Sequence, residues 1–81
     1  MTRVLLFGRL SDIAGWREKT LEPPPACLSD LRALLAADDA ALGEALDAPG
    51  VQVALDQVLR RDDAPLSARS EVAFLPPMSG G

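Results

Sequence analysis

The chain has 81 residues, the size of one small domain, which leaves no room for a catalytic domain beside an accessory one. Eight basic and 12 acidic residues give a net charge of −4, which argues against nucleic acid as a partner because phosphate binding needs a positive field. Histidine is absent and cysteine occurs once, so a histidine proton shuttle, a zinc site and a disulfide framework are all disfavoured.

Near its amino terminus the chain has one apolar run, Val4 to Phe7. It is shorter than the core of a signal peptide, about 7–15 residues, and no stretch approaches the roughly 20 apolar residues of a membrane span. The single thiol, Cys27, cannot form an internal disulfide, which fits a reducing compartment. We therefore expect a cytoplasmic protein that does not interact with a membrane.

The first part of the chain predicts two strands joined by a short helical turn. Residues 3–8 form a continuous apolar strand, and residues 10–15 form a helical turn that Gly15 ends. Residues 16–21 read as a second strand. The prolines at 23–25 lack amide donors and fix φ, so they predict a stiff connector.

An amphipathic helix is predicted over residues 27–37. Leucines at helical spacing form its apolar side: Leu28, Leu31, Leu34 and Leu35. Cys27 or Ser29 stands at the cap position, and Asp38-Asp39 interrupts the helix. One or two further turns follow around residues 42–46 and end at Pro49-Gly50.

Three more strands are predicted in the second half. Residues 51–55 alternate between apolar and polar, a tight turn at Asp56-Gln57 leads into residues 58–61, and residues 71–75 form the last strand. The order β-β-α-β-β-β predicts an α+β, β-grasp domain: a mixed sheet of about four to five strands covered on one face by a helix. We expect this domain over residues 1–75 and an extended, flexible tail over residues 76–81.

Alternation along the strands divides their side chains between two faces. The helix-covered face is predicted to hold Val4, Leu6, Val51, Val53, Leu55, Val72 and Phe74. The opposite face is predicted to hold Leu5, Phe7, Leu59, Ala73 and Leu75. A sheet covered on one face should be polar on the other, so this second apolar cluster predicts a surface for a partner protein.

The sequence closes on two prolines and two glycines. Pro76 and Pro77 cannot donate a ladder hydrogen bond, so they end the sheet and lead the chain outward. Two glycines at the last positions, Gly80 and Gly81, arise by chance in about 0.5% of chains at average glycine usage. A double glycine reached through Pro-Pro, directly after the last strand of a β-grasp domain, predicts a functional tail rather than a frayed end.

The carboxyl group of Gly81 is the reactive group that this tail offers. A terminal carboxylate, with a pKa of about 3.3–3.7, is ionised at neutral pH and is a poor electrophile. Conversion to an acyl-adenylate opens its carbonyl to attack, and a sulfur donor can then replace the adenylate to leave a thiocarboxylate. Glycine allows a close backbone approach inside a partner's enclosed active site. We therefore expect other proteins to perform the activation and transfer, and this chain to be non-catalytic on its own and to bind no cofactor.

These features together resemble the small subunit of molybdopterin synthase, a family of ubiquitin-like sulfur carriers. The resemblance covers essentially the whole chain and is strongest in residues 4–8 (VLLFG), 31–32 (LR) and 71–81 (EVAFLPPMSGG). The closing pattern of the family is an acidic-Val-Ala-Phe strand, two prolines, two variable residues and two glycines. The chain departs from the family at Asp56, where asparagine is common, and at Cys27, where a capping Thr or Ser is common.

The resemblance implies a set of partners and a reaction. An adenylating enzyme related to ubiquitin activators would use ATP on Gly81, with Gly80 before it, and a sulfurtransferase would supply sulfur. The thiocarboxylate would then donate sulfur to cyclic pyranopterin monophosphate inside the large subunit, in a heterotetramer of two large and two small subunits. The residues implied to bind partners are Phe7, Leu59, Leu75, Pro76, Pro77, Met78 and Ser79.

Three other functions share this sequence pattern. One is a sulfur carrier of the same fold that serves thiamin, cysteine or RNA thiolation, since the thiocarboxylate is common to all of them. Another is a ubiquitin-like modifier joined to lysines through Gly81. The last is an interaction module whose tail is chemically inert.

Overall fold

The structure is a computed structural model that describes residues 1–77. It contains five strands: β1 (Thr2–Leu6), β2 (Glu18–Leu21), β3 (Gln52–Leu55), β4 (Val58–Arg60) and β5 (Glu71–Leu75). It also contains three helices: α1 (Arg9–Ala14), α2 (Leu28–Asp38) and α3 (Ala40–Leu46). The predicted elements are therefore all present, with ends that differ by at most two residues.

The five strands form one mixed sheet in the order β2-β1-β5-β3-β4. The central strands β1 and β5 run parallel, and every other neighbouring pair is antiparallel. A hairpin at each end of the sheet and a helical crossover between them give the predicted β-grasp architecture of the α+β class.

Two successive helices cover the sheet, where the sequence predicts one helix followed by one or two further turns. Asp39 leaves the helical conformation with φ at −149°, and its carboxylate accepts a hydrogen bond from the Leu42 amide at 3.2 Å. Asp39 therefore caps α3 while it ends α2, because an aspartate at an N-cap satisfies a free amide of the first turn. Asp38-Asp39 interrupts the helix, as the sequence predicts.

The core lies between the sheet and these helices. Val4, Val72 and Phe74 are completely buried on the inner side of the two central strands, the side that alternation predicted. The other buried apolar residues of this cluster are Leu6, Leu10, Leu28, Leu31, Leu35, Leu42, Leu46, Val53 and Ala64. Val51 and Leu55 are partly buried against it, so the predicted inner face is confirmed.

Leu34 does not belong to this core, contrary to the helical spacing. Its side chain is 48% exposed and lies beside Lys19 and Leu21 at the β2 edge of the sheet. The buried stripe of α2 runs through Leu28, Leu31 and Leu35, and Leu34 stands at its margin. No strand of the described chain lies beyond β2 to cover it.

The cap of α2 comes from a distant residue. Cys27 occupies the N-cap position but makes no capping hydrogen bond with its side chain. The carboxylate of Asp63 accepts hydrogen bonds instead from the Ser29 amide at 3.0 Å and from the Ser29 hydroxyl at 2.7 Å. These bonds lower the pKa of Asp63, the side-chain bond from Ser29 being the larger cause.

The hairpin between β3 and β4 explains the aspartate at its turn. Asp56 and Gln57 have φ angles of 51° and 70°, so both adopt the left-handed conformation that a two-residue hairpin requires. The Asp56 carboxylate also accepts a hydrogen bond from the Glu71 amide at 2.9 Å, which ties the turn to the start of β5. The carbonyl oxygen of an asparagine can accept the same bond, so Asp56 preserves the function of this position.

Candidate functional site: the outer face of the sheet and the root of the tail

The outer face of the sheet, away from α2 and α3, carries a row of small and apolar side chains across four strands. Leu5 pairs with Ala73, Ala73 with Ala54, and Ala54 with Leu59. Leu5 and Ala73 alternate with buried residues, and directly paired residues of neighbouring strands lie on the same side of a sheet, so all four share the outer side. Ala54 is 9% exposed, the least of the four. Ala54 is a member that the sequence analysis missed, although its place between Val53 and Leu55 is a signal for it.

Two further apolar residues extend this row towards the tail. Phe7 follows β1, and its amide donates to the Phe74 carbonyl at 3.2 Å, which places Phe7 next to Leu75 in the continued parallel ladder. Phe7 is 46% exposed and Leu59 is 56% exposed. We call the whole set the apolar patch: Leu5, Phe7, Ala54, Leu59, Ala73 and Leu75.

The opposite end of the outer face is charged and internally paired. The Arg3 guanidinium lies 3.0 Å from the Glu18 carboxylate and 3.2 Å from the Glu71 carboxylate. The hydrogen bond and charge of Glu18 raise the pKa of Arg3, with a smaller contribution from Glu71. The outer face is therefore divided between an ion-paired end and an apolar end.

The tail leaves the domain at the apolar end, and we call its first two residues, Pro76 and Pro77, the tail root. Pro76 lies against Gly8, where an added Cβ would stand 3.0 Å from the proline Cγ. Pro77 lies against Gly50, where an added Cβ would stand 2.8 Å from the proline Cβ. Gly8 and Gly50 have φ angles of +56° and +88°, a region that favours glycine, so conformation and contact both require this residue.

Four of the five predicted partner-binding residues that the structure describes converge at one end of the sheet. Parallel pairing brings the ends of β1 and β5 together, and antiparallel pairing places Gln52, at the start of β3, opposite Leu75. Phe7, Leu75, Pro76 and Pro77 lie where the chain leaves the sheet. Leu59 lies two strands from β5 in the row of Ala73, and it shares a groove with Gly50. The predictions on Met78, Ser79, Gly80 and Gly81 lie outside the described residues.

Gly8 and Gly50 are residues of this site that the sequence analysis did not identify. Each of them adjoins a strand end, Gly8 just after β1 and Gly50 just before β3. A glycine at such a position signals a turn or a close backbone approach. The partner in that approach lies far away in the sequence, and only the fold reveals it.

Within residues 1–77, no group of three or more Cys, Asp or Glu side chains is arranged to hold a metal ion. No helix in that part is long and apolar enough to cross a bilayer. Cys27, the single thiol, lies 3.2 Å from the Ser29 hydroxyl at the start of α2 and takes no part in the apolar patch.

Comparisons with known proteins place this arrangement among β-grasp proteins. The ThiS family profile matches residues 4–81. The crystal structure of SAMP1 from Haloferax volcanii is 24% identical, with a TM-score of 0.83 over 99% of this chain and 98% of that one. The solution structure of small archaeal modifier protein 1 from Methanosarcina acetivorans is 23% identical, with a TM-score of 0.84 over 99% and 95% of the two chains. Comparison with curated protein sequences finds no match.

A second crystal structure of the small archaeal modifier protein 1 from H. volcanii superposes with a TM-score of 0.81 at 20% identity. It covers 95% of this chain and 97% of that one. At these identities the likeness establishes the fold, which is the ubiquitin-like β-grasp.

Proposed function

Because this chain belongs to the ThiS family of ubiquitin-like sulfur carriers, we propose that it is the small subunit of molybdopterin synthase. The observation that supports this proposal is the convergence of the apolar patch and the tail root at one end of the sheet. A sulfur carrier needs a surface that binds its partner and an extended tail that enters the active site of that partner. In this chain the two adjoin each other.

The proposed reaction takes place at the carboxyl group of Gly81. An adenylating enzyme joins this carboxylate to the AMP part of ATP and releases pyrophosphate. A sulfur donor presented by a sulfurtransferase then forms a carbon–sulfur bond as the carbon–oxygen bond to AMP breaks, which leaves a thiocarboxylate. In the large subunit the sulfur of the thiocarboxylate bonds to a carbon of cyclic pyranopterin monophosphate, and water then cleaves its bond to the Gly81 carbonyl carbon and restores the carboxylate. Two such transfers complete the dithiolene that binds molybdenum or tungsten.

The residues of this chain would hold and direct the tail. Phe7, Leu59 and Leu75 present apolar surface that the sheet does not cover, and the large subunit would bury it. Aromatic and aliphatic anchors of this kind supply much of the binding energy in protein interfaces. Pro76 and Pro77, seated on their two glycines, would set the direction in which residues 78–81 leave the body. The proposed assembly has two large and two small subunits.

The decisive experiment is co-purification with the large subunit from the same host, followed by the intact mass of this chain and an assay for molybdopterin. We expect a mass increase equal to the difference between sulfur and oxygen. Deletion of Gly81 should abolish sulfur transfer and leave complex formation intact, since the body of the domain is unchanged. Full activity of the truncated chain would contradict the proposed role of Gly81.

A second candidate function is a ubiquitin-like protein modifier. The observation that favours it is the close superposition on structures named small archaeal modifier protein 1. In that case Gly81 would form an amide with lysine side chains of other proteins. Conjugates that survive strong reductant and that disappear on deletion of Gly81 would identify this function. A carrier for another thiolation pathway would instead show the thiocarboxylate without binding the molybdopterin synthase large subunit.

A further inference from the structure

The basic side chains of this chain fall into two groups. Arg3, Lys19 and Arg32 form ion pairs with acidic residues of the chain itself. The other five arginines are exposed, and their side chains make neither an ion pair nor a hydrogen bond within residues 1–77: Arg9, Arg17, Arg60, Arg61 and Arg69. These five keep their charge available for another molecule.

Four of the five lie at the end of the sheet from which the tail leaves. The Leu6 amide donates to the Arg17 carbonyl at 2.9 Å, so Arg17 stands beside the end of β1. Arg9 directly follows Gly8, against which Pro76 packs. We call Arg9, Arg17, Arg60 and Arg61 the arginine arc.

The strand register shows at which end of the sheet Arg60, Arg61 and Arg69 lie. Arg60 pairs with Val53, the neighbour of the residue opposite Leu75, and Arg61 continues in the same direction. Arg69 precedes β5 and therefore lies at the opposite end of the sheet. The available positive charge is thus concentrated around the tail root.

Two surface grooves show that the arc flanks the tail root on both sides. One groove, of about 240 Å³, is lined by Phe7, Gly8 and Arg17. The other, of about 400 Å³, is lined by Gly50, Arg60 and Arg61. Each groove therefore contains one of the two glycines on which a tail proline is seated.

Negative charge offsets the arc only in part. Glu18 is the acidic side chain among the residues that line these two grooves, and it is ion-paired with Arg3. Asp12 shares a neighbouring groove with Arg17, and Asp62 and Asp63 share another groove with Arg61. Four positive charges thus face three negative ones, although the whole chain carries −4. The tail leaves from a positive region of an otherwise acidic molecule.

From this distribution we infer that the arginine arc binds an acidic surface on the adenylating enzyme, around the entrance through which the tail reaches ATP. This inference rests on the proposed function. We assign the arc to the activating enzyme because that complex needs to form quickly and to dissociate once Gly81 is modified. Charged groups at the rim of an interface act mainly on the association rate, whereas buried apolar anchors prolong a complex. The apolar patch would serve the longer-lived complex with the large subunit.

The test compares Arg60→Gln/Arg61→Gln with Arg69→Gln, which removes one charge at the far end of the sheet. The probe is the adenylating enzyme of the same host, assayed by ATP–pyrophosphate exchange with each form of the carrier. For the double variant we expect kcat/KM to fall about tenfold, since steering of this kind changes association rates by 10-fold or more. The value of kcat should stay unchanged because the tail is intact, and Arg69→Gln should change kcat/KM less than twofold.

Salt provides a second readout. Raising the ionic strength from about 0.1 M to 1 M shortens the Debye length from roughly 10 to 3 Å, and it should reduce kcat/KM of the wild type more than that of the double variant. Equal kcat/KM for the double variant and the wild type, or an equal loss with Arg69→Gln, would overturn the inference while the proposed function stands. If the wild type supports no exchange, the proposed function fails, and the inference fails with it.

Two further measurements assign the arc to other partners if the inference is wrong. Weaker binding of the double variant to the large subunit, with unchanged exchange, would place the arc in that complex. Salt-sensitive binding of a short single-stranded DNA, lost in the double variant, would assign it to nucleic acid. Either result overturns the inference.

Discussion

The two faces of this sheet are built from the same alternating strands but differ in what covers them. On the inner face, Val4, Val72 and Phe74 are completely buried beneath the helices. On the outer face, Leu5 and Ala73 are half-buried, and Phe7 is exposed over nearly half of its surface. The inner face stabilises the domain. The outer face keeps apolar area uncovered next to the tail, where the proposed large subunit would bind.

The largest expected effect lies on the inner face. Phe74→Ala should cost about 3–5 kcal/mol, because the ring is fully buried and lies 5.5 Å from the Arg32 guanidinium. That is a large share of the stability of a domain with about 4–12 kcal/mol in total. Urea unfolding at low temperature measures the loss, and the milder Phe74→Leu should lose less.

The matched control for Phe74 is Leu59→Ala on the outer face. Leu59 is 56% exposed, and a surface substitution of this kind changes stability by about 0.5 kcal/mol or less. A comparable loss at both positions would contradict the division of the sheet into a stabilising and a partner-binding face.

The next largest effect is expected on the outer face, as a loss of affinity for the large subunit. Phe7→Asp should weaken the complex with the large subunit by about 2–3 kcal/mol, roughly a hundredfold in Kd, because the new carboxylate would be buried without a partner. Isothermal titration calorimetry measures it. Leu34→Asp is the control, since Leu34 is 48% exposed but lies on the helical layer. An equal loss of affinity for both variants would remove the apolar patch from the interface.

A smaller effect is expected at the contact between Gly50 and Pro77, where the tail leaves the domain. Gly50→Ala and Gly15→Ala both place alanine at a positive φ, +88° and +82°, so each should lose about 1–2 kcal/mol of stability. At Gly50 the new Cβ would also meet Pro77, whereas at Gly15 no atom of the described chain lies within 4 Å of it.

The two glycine variants therefore differ in function more than in stability. Sulfur transfer should fall about tenfold in Gly50→Ala alone, because displacement of Pro77 shifts the reactive end of the tail. Single-turnover transfer to the precursor, with thermal unfolding as the reference, separates the two effects. Equal activity of the two variants would show that Gly50 does not direct the tail.

The smallest expected effect is the pH dependence of the α2 cap. Bonds from Ser29 lower the pKa of Asp63 in the folded chain, so its contribution to stability is present above the unfolded pKa of about 3.9. It is lost as the pH falls through the lower, folded value. Between pH 6 and about pH 2, Asp63→Asn should therefore lose less thermal stability than the wild type. Asp62→Asn, one residue away, should follow the wild type, and identical profiles for all three would contradict the cap.

Much of the fold follows from short-range patterns. Alternation predicts the inner side of β3 and β5, and the Asp56-Gln57 pair predicts the hairpin turn that its φ angles confirm. Leu34, which helical spacing assigns to the apolar side of the helix but which is exposed, shows the limit of this reasoning. Helical spacing defines a stripe, but how wide a stripe is covered depends on what lies beside the helix.

Less of the candidate site follows from the same patterns. Alternation predicts Phe7, Leu59 and Leu75 as outward residues, yet it does not show that Phe7 and Leu75 are neighbours where the tail leaves the sheet and that Leu59 lies two strands from β5. The two seats of the tail, Gly8 with Pro76 and Gly50 with Pro77, join residues far apart in the chain, and no local pattern connects them.

The sequence by itself determined which residues form strands and helices, which side chains of a strand share a face, and that Pro-Pro and Gly-Gly follow the last strand. These properties depend on backbone preferences and on a period of two or 3.6 residues, which a short segment carries alone. The tertiary structure decided which strand ends meet, that Asp63 caps a helix 34 residues earlier, and that four arginines without an ion pair in residues 1–77 lie at the end of the sheet from which the tail leaves. Those outcomes depend on strand register, which is fixed when the whole core packs.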